Sequence, residues 1–475
     1  MTSSESAPTS VIETAPLRGR TALVLGLGRF SGGVESVRFL AAEGARVVVS
    51  DTADPATLAA SVAAIADTGA KAVFGPQAPA LLDGLGPRDL VVASPAIPFD
   101  HPVLAEAERR GIPTTTEINL FVARVRAPIL GVTGTKGKST TSTLLANMLA
   151  ATGRTTHLGG NVGRSLLGQL ARIAPDHVVV LELSSFQLHW LRRVGFRPSV
   201  AVVTNLFPDH LDRHGTFEAY ARDKRALLEA QRADDVAVLP VVDAALDAQG
   251  FRTAGSARRI GFGEGPFEGP GVTVRPDGSL ADVRTGLGTA LPGFALWGRH
   301  NRGNAAAAAA AALAFGASWD AVREGAVGTR PLSHRLEPVH TSADLLFVDD
   351  SIATTPQSAA AALEAVPRPC VVLVGGKDKG LDPAPLLAAI QARARGVVGI
   401  GTTGPALVAE VLRRGGVPAV LGGPGPDLTQ SVRAACALAR PGDAILLSPG
   451  HASLDQYASF AARGDEFARA ARAGR

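Results

Sequence analysis

The chain has 475 residues, of which 46% are hydrophobic and 19% charged, and its formal net charge is +4. This balance allows several buried cores and excludes a globally disordered chain, and at roughly 100–200 residues per domain the length predicts two to four domains. Two cysteines, Cys370 and Cys436, exclude a disulfide framework. No dense Lys/Arg block is interleaved with aromatic residues, so we expect no nucleic-acid partner.

The N-terminal sixteen residues are rich in Ser, Thr and Pro and lack the basic start and apolar run of a signal peptide. We expect them to form a short disordered tail. No stretch reaches the roughly 18–20 apolar residues that a membrane span needs, and the alanine run at 305–312 is too short and too weakly hydrophobic. We therefore expect a cytoplasmic monomer with no membrane partner.

The predicted elements fall into three groups, each of which opens with an apolar strand. The strands are predicted at 21–25, 46–50 and 90–93 in the first group, at 129–132, 178–182 and 200–205 in the second, and at 345–349, 370–374, 397–400 and 444–447 in the third. Strands that alternate with helical segments predict parallel sheets with helices on their faces.

The pattern restarts at Ala127-Pro128 and again near residues 328–331. We therefore predict an α/β protein with three domains after the tail at 1–16. These are a Rossmann-like domain at 17–126, a central P-loop ATPase-like domain at 127–330 and a C-terminal Rossmann-like domain at 331–475.

The most informative stretch is Gly131-Val-Thr-Gly-Thr-Lys-Gly-Lys-Ser-Thr-Thr141, which lies between a predicted strand and a predicted helix. Its glycines let backbone N–H groups turn towards phosphate oxygens, and the following helix presents its positive end to the same anion. The spacing departs from the usual form, because Val132 occupies the place of the first glycine. We predict an ATP site in which Lys138 reaches the β- and γ-phosphates and Ser139 or Thr140 holds Mg²⁺. The site comprises Gly134, Thr135, Lys136, Gly137, Lys138, Ser139 and Thr140.

A second glycine pattern, Gly26-x-Gly28-x-x-x-Gly32, follows the first predicted strand. It is similar to a dinucleotide-binding fingerprint with one residue inserted, and Asp51 ends the next strand. The pattern alone leaves an NAD site open, just as the phosphate loop alone does not separate a motor, a kinase and a ligase.

Further motifs follow in order along nearly the whole chain. They are Gly160-Asn161-Val-Gly163, Leu181-Glu182-Leu-Ser184-Ser-Phe-Gln187-Leu188, Asn205-Leu-Phe-Pro-Asp209-His210-Leu-Asp212, Tyr220-Ala-Arg-Asp-Lys224, Gly298-Arg-His300-Asn301-Arg-Gly-Asn304, His334-Arg335, Asp349-Asp350-Ser351, Gly375-Gly376 and Leu447-Ser-Pro449. This series resembles the Mur ligases of peptidoglycan synthesis. Ser453-Leu-Asp-Gln456-Tyr, with Phe460 and Arg463-Gly464 after it, resembles the members that add D-glutamate.

The resemblance implies a ligase that phosphorylates a carboxylate with ATP, so that an amine can attack the acyl phosphate. It implies catalytic roles for Lys138, Glu182, His210 and Lys224, with Lys224 carbamylated by CO₂. The implied magnesium ligands are Ser139, Thr140, Glu182, His210 and the carbamate of Lys224. Glu182 at a strand end suits this role, whereas Lys224 taken alone is more typical of a solvated helix residue.

The resemblance also implies the remaining contacts. For ATP these are Asn301 at the base, Asp350 at the ribose and Arg335 at the phosphates, although Asn301 is equally suited to cap a helix. For the nucleotide-sugar substrate they are Asp51, Thr52, Asn161 and Ser184. For the incoming amino acid they are Thr354, Lys379 (or Lys377), Ser453, Leu454 and Phe460, with Ser453 and Leu454 expected at the start of a helix.

The predicted reaction joins D-glutamate to UDP-N-acetylmuramoyl-L-alanine with ATP and Mg²⁺. L-Glutamate stays open as the amino acid, because Ile352-Ala-Thr-Thr-Pro356 replaces the common Lys-Ala-Thr-Asn and resembles ligases that add L-glutamate. A folylpolyglutamate synthetase-like ligase is a further alternative, disfavoured by the additional α/β domain before Ala127. An ATP-binding protein without turnover is disfavoured by the joint presence of Glu182, His210 and Lys224.

Overall fold

The computed structural model describes residues 11–29, 31–163, 165–342 and 344–473. In these ranges the chain forms two compact units: the residues up to Leu291 together with Gly303–Ala326, and Pro292–Arg302 together with the residues from Val327 onward. Of the predicted tail, residues 1–10 lie outside the described ranges, and Val11–Thr14 is a short helix. No helix within the described ranges is long and apolar enough to cross a membrane.

The first domain is built on a parallel sheet. Its helices and strands are α1 (Val11–Thr14), β1 (Thr21–Leu25), α2 (Ser31–Ala42), β2 (Arg46–Asp51), α3 (Ala59–Ala63), β3 (Lys71–Phe74), β4 (Leu90–Ala93), α4 (Pro102–Arg109), β5 (Thr114–Thr115) and α5 (Glu117–Val122). The strand order is β3-β2-β1-β4-β5, and each neighbouring pair is parallel. Strand order reverses at β1, so the turn after β1 opens at the place where such sheets bind ligands.

The central domain contains a larger mixed sheet. Its elements are β6 (Ile129–Thr133), α6 (Lys138–Ala150), β7 (Thr156–Gly160), β8 (Val178–Glu182), α7 (Ser185–Leu191), β9 (Val200–Val203), α8 (Leu211–His214), α9 (Phe217–Glu229), β10 (Val236–Pro240), α10 (Ala244–Ala248), β11 (Arg258–Glu264), β12 (Gly271–Val274), β13 (Leu280–Asp282), β14 (Gly288–Thr289), α11 (Arg299–Ala314) and α12 (Trp319–Gly328). The strand order is β14-β13-β12-β11-β10-β9-β6-β8-β7. The strand predicted at 200–205 ends earlier, at Val203.

Two parallel pairings fix where the central site forms. β6 lies between β8 and β9, with Val132 opposite Glu182 and Thr133 opposite Val203. The carboxyl ends of these three strands therefore meet at one edge of the sheet. The parallel arrangement is correct for the three strands predicted in this domain, whereas β12, β13 and β14 at the far side, which pair antiparallel, were not predicted as strands. A tight turn at Asp277, whose carboxylate accepts from the Ser279 N–H at 2.9 Å, joins β12 directly to β13.

The alanine run at 305–312 makes the middle of α11 apolar on every side. Each residue from Ala305 to Ala312 is at most 2% exposed. A helix that is apolar all round is typical of a protein interior, and methyl side chains let its neighbours approach closely. The run is a packing feature of the core.

The C-terminal domain has a third sheet. Its elements are β15 (Glu337–Ser342), β16 (Leu345–Asp349), α13 (Pro356–Ala365), β17 (Cys370–Val374), α14 (Ala384–Arg393), β18 (Ala394–Gly399), α15 (Gly404–Arg414), β19 (Ala419–Leu421), α16 (Thr429–Leu438), β20 (Ala444–Leu447) and α17 (Phe460–Ala473). The strand order is β15-β16-β20-β17-β18-β19. All neighbours are parallel except β15 and β16, so the parallel prediction is correct for the predicted strands and misses the antiparallel edge.

Candidate active site

Hydrogen bonds join the turn between β6 and α6 to the residues that follow β9. Gly134 has φ +142°, and a Cβ there would lie 1.9 Å from the Thr204 hydroxyl oxygen. That hydroxyl donates to the Lys136 carbonyl at 2.6 Å, and the Asn205 side-chain oxygen accepts from the Lys136 N–H at 2.8 Å. Only glycine fits at position 134, and the turn is held in a fixed shape.

Three lysine side chains surround this turn. Lys138, the first residue of α6, donates through Nζ to the carbonyls of Gly134 at 3.0 Å and Thr135 at 2.9 Å. Lys224 Nζ donates to the same Gly134 carbonyl at 2.7 Å. Lys136 forms a salt bridge with Asp209 at 3.3 Å. Lys136 and Lys138 therefore provide the positive charge that a polyphosphate requires at one sheet edge, where half-buried Ser139 and buried Thr140 also lie.

Lys224 is deeply buried. It lies on α9, whose N-terminus is capped by the Thr216 hydroxyl accepting from the Ala219 N–H at 3.1 Å. The residue is only 1% exposed, so it is not the solvated residue that its neighbours in sequence alone indicate. Burial, with the nearby Lys138 charge, holds the pKa of this amine well below its usual value. The neutral amine is thereby favoured.

Glu182 ends β8 with one carboxylate oxygen unpaired. The residue is 1% exposed, and its Oε1 accepts from the Asn161 side-chain amide at 2.8 Å. Among the described residues, Oε2 has no hydrogen-bond partner. A buried carboxylate oxygen without a partner is costly, and a cation at this position would satisfy it. The donor set here fits a divalent metal.

His210 follows Asp209 in a left-handed conformation, with φ +53°. Its ring centroid is 5.1 Å from that of Phe186. Partial burial of the ring lowers the pKa of His210, and this effect outweighs the opposing charges of Asp209 and Asp212. A neutral imidazole is the form that binds metal.

The structure brings the four predicted catalytic residues into one neighbourhood. The charge of Glu182 acts on the pKa of Lys224, and the charges of Lys224 and Lys138 act on that of His210. Together with the strand register, this places Lys138, Glu182, His210 and Lys224 at the same edge of the central sheet.

The sequence interpretation omitted two groups that shape the turn. The Tyr220 hydroxyl lies 3.0 Å from the Thr135 hydroxyl, and the Thr204 hydroxyl contacts the turn as described above. In sequence, Tyr220 is the first residue of the motif that ends at Lys224. The four-residue spacing of Tyr220 and Lys224 places both on one helix face, which was the available signal.

In the first domain, the predicted substrate residue Asp51 is tied to the glycine turn after β1. Its carboxylate accepts from the Gly28 N–H and from the Ala53 N–H, each at 2.9 Å. Asp51 is 9% exposed, whereas Thr52 beside it is exposed. The Asp51 carboxylate thus stabilises the turn after β1 through hydrogen bonds to its backbone.

Ser184 serves as the N-cap of α7. Its hydroxyl accepts from the Gln187 N–H at 3.3 Å, and the Gln187 side chain accepts from the Ser184 N–H at 3.1 Å. This reciprocal capping box explains why a Ser and a Gln stand three residues apart. Ser184 therefore has a structural role beside any contact with substrate.

In the second unit, Asp350 lies directly after β16. Its carboxylate accepts from the Ser448 hydroxyl at 2.8 Å and from the Leu336 N–H at 3.2 Å. Burial raises the pKa of Asp350 to about 7, partly offset by these hydrogen bonds and by the charge of the predicted phosphate ligand Arg335. Asp350 and Arg335 therefore lie near one another.

Asn301 does not cap α11, because that helix begins at Arg299 and Asn301 lies in its first turn. The side-chain amide of Asn301 donates to the Trp297 carbonyl at 2.7 Å. This bond ties the first turn of α11 to the segment before it. The capping alternative is wrong.

Two residues predicted to bind the amino acid contact each other. Lys379 Nζ donates to the Thr354 hydroxyl at 3.4 Å, and no corresponding bond joins Lys377 to Thr354 within the described ranges. Phe460 begins α17 and is 37% exposed. These residues belong to segments that follow β16, β17 and β20.

The predicted helix start at Ser453 and Leu454 is wrong. The Ser453 carbonyl accepts from the N–H groups of Gln456 at 3.1 Å and Tyr457 at 2.9 Å, which closes a single turn. The helix begins later, at Phe460. Ser453 is 3% exposed and Leu454 is 62% exposed. One isolated turn has no helix dipole with which to hold a carboxylate.

Comparison with protein-family models gives three matches along the chain. The Mur ligase MurD-like N-terminal domain matches residues 20–116, the Mur ligase middle domain matches 132–312, and the Mur ligase glutamate ligase domain matches 334–451. The N-terminal match covers the glycine turn after β1, and the middle match covers the lysine-lined turn.

Relatives and a solved structure agree with these matches. The chain is 37% identical to UDP-N-acetylmuramoylalanine–D-glutamate ligase of Symbiobacterium thermophilum, over 94% of this chain and 96% of the relative. It is 39% identical to the ligase of the same name from Anaeromyxobacter dehalogenans, over 96% of this chain and 98% of the relative. The crystal structure of UDP-N-acetylmuramate-alanine ligase from Thermotoga maritima has a TM-score of 0.61 at 18% identity, covering 96% of this chain and all of that one, and so shares the fold.

The order of the three domains, the lysine-lined turn of the central domain and full-length similarity at this level lead to one assignment. This chain is a member of the Mur ligase family, the ATP-dependent ligases that form amide bonds.

Proposed function

We propose that this Mur ligase joins D-glutamate to UDP-N-acetylmuramoyl-L-alanine in peptidoglycan precursor synthesis, with conversion of ATP to ADP and phosphate. The names of the full-length relatives support the substrates. The observation that carries the chemistry is the pair of charged lysines at the turn, Lys136 and Lys138, with the buried amine of Lys224 beside it and Glu182 at the end of the neighbouring strand. We propose that the reaction takes place in the cytoplasm.

The lysines serve the first chemical step. A carboxylate at neutral pH is a poor electrophile, and transfer of the γ-phosphoryl group of ATP to it creates an acyl phosphate that an amine can attack. Negative charge on the transferring group needs preorganised positive charge. Lys138, which is hydrogen-bonded to the turn at 3.0 and 2.9 Å, is oriented to exchange these carbonyls for phosphate oxygens.

Bound Mg²⁺ would supply additional positive charge to the phosphate oxygens. Glu182 would hold it through the unpaired Oε2, together with a hydroxyl of Ser139 or Thr140, and His210 in its neutral form suits a second metal position. Lys224 would contribute as a carbamate. Its amine, kept neutral by burial, is the form that adds to CO₂ and releases one proton.

The remaining residues divide between the substrates. We propose that Asp51, Thr52, Asn161 and Ser184 position the UDP-linked substrate, that Asn301, Arg335 and Asp350 bind ATP, and that Thr354, Lys379, Ser453, Leu454 and Phe460 bind glutamate. We retain the domain limits 17–126, 127–330 and 331–475 as part of this proposal.

One observation favours L-glutamate as a second candidate substrate. Ile352 occupies the place of the lysine in the common motif, two residues before Thr354, whose hydroxyl accepts from Lys379. The cation that the motif usually provides is therefore missing beside the predicted amino-acid site. A different distribution of charge can change which enantiomer is accepted.

The experiment incubates purified protein with UDP-N-acetylmuramoyl-L-alanine, ATP, Mg²⁺ and each glutamate enantiomer separately. Phosphate release and the mass of the product are measured. D-Glutamate should give phosphate and a product larger by one glutamyl residue. Turnover with L-glutamate alone would replace the D-specific proposal, and no turnover with either enantiomer would overturn the ligase assignment to these substrates.

A further inference from the structure

Three segments of the central domain carry ligands of the proposed metal centre, and one imidazole lies between them. Glu182 ends β8 shortly before α7, His210 immediately precedes α8, and Lys224 lies on α9. His214 is the last residue of α8, and its side chain is 1% exposed. It contacts side chains of both α7 and α9, and the chemistry proposed above gives it no role.

Both ring nitrogens of His214 are hydrogen-bonded. Nδ1 donates to the Asp223 carboxylate of α9 at 3.1 Å, and Nε2 lies 3.0 Å from the hydroxyl oxygen of Ser185, the first residue of α7. Asp223 is 2% exposed and also accepts from His189 Nδ1 at 3.2 Å. Burial acts to raise the pKa of Asp223, but the two imidazoles outweigh burial and lower it to about 2. The His214 ring is therefore fixed at two points, one on each neighbouring helix.

Two aromatic rings pack against His214 and also contact the metal ligands. The Phe186 ring stacks on His214 with centroids 5.2 Å and planes 6° apart, and its centroid is 5.1 Å from that of His210. The Tyr220 ring meets His214 edge-on at 5.4 Å, and Lys224 Nζ lies 4.8 Å from the Tyr220 centroid. His214 is thus connected to one metal ligand through each ring.

The series Asp223, His214 and Ser185 has the order of hydrogen bonds found in a nucleophilic triad. A nucleophile must reach the atom that it attacks. Ser185 is 2% exposed and the His214 side chain 1%, so a substrate has no access to the serine hydroxyl. The enclosed network can orient its neighbours and cannot attack a substrate.

We propose that His214 is a positioning residue for the metal centre, which holds His210 and Lys224 in place for a bound divalent cation through the rings of Phe186 and Tyr220. The proposal rests on the metal centre described under the proposed function and extends it to a residue that touches neither metal nor substrate. Loss of a group that orients metal ligands typically weakens metal binding about 10–100-fold.

Manganese binding to the full chain tests this role without turnover. Mn²⁺ prefers the same oxygen ligands as Mg²⁺, and the EPR signal of free Mn²⁺ measures the bound fraction in the presence of β,γ-imido-ATP and bicarbonate. His214→Gln keeps a hydrogen-bonding amide but removes the ring between Phe186 and Tyr220. It should weaken Mn²⁺ binding at least about ten-fold.

His157→Gln is the matched control. His157 Nε2 also pairs with an imidazole, that of His177, at 2.9 Å with ring centroids 5.1 Å apart. It lies on β7 three residues before Gly160, which pairs with Glu182. The control should change Mn²⁺ affinity by less than about two-fold, because distant sites act independently. Equal weakening in the two variants would overturn the proposal, since loss of an imidazole, and not its position, would then be responsible.

A smaller change decides the outcome if His214→Gln does not fold. Ser185→Ala removes only the hydroxyl beside Nε2 and should weaken Mn²⁺ binding about three-fold, as expected for one hydrogen bond. Ser431→Ala is its control, at a fully buried hydroxyl of α16 that accepts from the Gly423 N–H at 3.2 Å, and should leave the affinity unchanged.

Unchanged Mn²⁺ affinity in His214→Gln, or in Ser185→Ala if the first variant does not fold, would overturn the positioning role and leave the metal centre standing. No Mn²⁺ binding in the unsubstituted chain would overturn the metal centre and the positioning role together. Because Mn²⁺ binding does not depend on the amino acid that is joined, failure of glutamate ligation would be recognised separately.

Discussion

Two glycine-rich turns in the first unit each follow an inner strand and lead into a helix, yet different side chains surround their backbones. In the turn after β1, the Gly28 N–H donates to the Asp51 carboxylate, and the Gly28 carbonyl accepts from the Ser61 hydroxyl at 2.7 Å. In the turn after β6, the Gly134 carbonyl accepts from the side-chain nitrogens of both Lys138 and Lys224.

The difference shows that the backbone motif provides only a concave surface and that charge decides what it can hold. A carboxylate beside the first turn does not suit a densely charged triphosphate. Lys136 and Lys138 at the second turn provide the positive charge that suits such an anion. Glycine spacing, which is irregular in both turns, does not carry this information.

The largest expected effect tests the second turn. Lys138→Ala removes an ammonium group that is hydrogen-bonded to the turn. It should lower the rate of phosphate release about 10²–10³-fold, because a positive charge positioned beside the transferring phosphoryl group is lost. Thermal unfolding should be unchanged. Lys71→Ala, at an exposed lysine of β3, is the matched control and should leave the rate unaltered. Unaltered phosphate release in Lys138→Ala would break the comparison between the turns.

Lys224 provides the next effect. Lys224→Ala should lower turnover about 100-fold, since the group that supports the metal is lost, and added acetate should restore part of it by occupying the vacated space. The rate at increasing acetate concentration is the measurement. Acetate should not restore Lys138→Ala, which serves as the control. Full activity of Lys224→Ala without an additive would contradict the carbamate role.

The same lysine should make stability depend on pH in CO₂-free buffer. Its pKa is lowered by burial, so between that lowered pKa and the ordinary lysine pKa of about 10.4 the unfolded chain binds a proton that the folded chain does not. The free energy of unfolding should therefore rise with pH from 7 to 10. Lys224→Met should remove this rise in urea titrations at the two pH values. Parallel pH profiles of the two proteins would show that burial does not disfavour the charged amine.

Sequence patterns predicted the parallel core of each sheet because its strands are continuous apolar runs. Val178–Glu182 is observed with the predicted limits. β7 was missed because Thr156–Gly160 contains two glycines and a histidine, and β12 because Gly271–Val274 is short and lies in a hairpin that local turn chemistry defines. Pairing with neighbouring strands, which a single sequence does not reveal, turns such segments into strands.

The site residues also divide into those that local sequence predicts and those that depend on tertiary packing. The turn at 134–137 was predictable because glycine and lysine have distinct local roles in it. The burial of Lys224 was not evident from Ala221-Arg-Asp-Lys224, which reads as polar, and depends on the packing of α9 beneath the turn. Ser453 was assigned to a helix start because serine is a good N-cap, although the chain there forms one turn before Phe460.

Substitutions at Gly32 and Gly33 test how closely α2 approaches the first turn. A Cβ on Gly33 would lie 2.2 Å from the Leu27 carbonyl oxygen, whereas a Cβ on Gly32 would meet nothing within 4 Å. Gly33→Ala should lower the free energy of unfolding by about 1–3 kcal/mol through overpacking, and Gly32→Ala should change it by less than about 0.5 kcal/mol. Urea denaturation of both variants measures this. Equal stability would show that helix α2 does not approach the turn so closely.

The smallest expected effect tests whether the first turn binds the UDP-linked substrate and not ATP. In Asp51→Asn, an amide N–H faces either the Gly28 N–H or the Ala53 N–H, so one of the two hydrogen bonds is lost and the first turn loosens. The KM for the UDP-linked substrate should rise about ten-fold, while kcat and the KM for ATP stay within about two-fold. Asp54→Asn, three residues away at a position that caps a separate short helix, is the control. If the KM for ATP rises instead, the turn after β1 binds ATP in spite of its carboxylate. That result would contradict our assignment of ATP to the turn after β6.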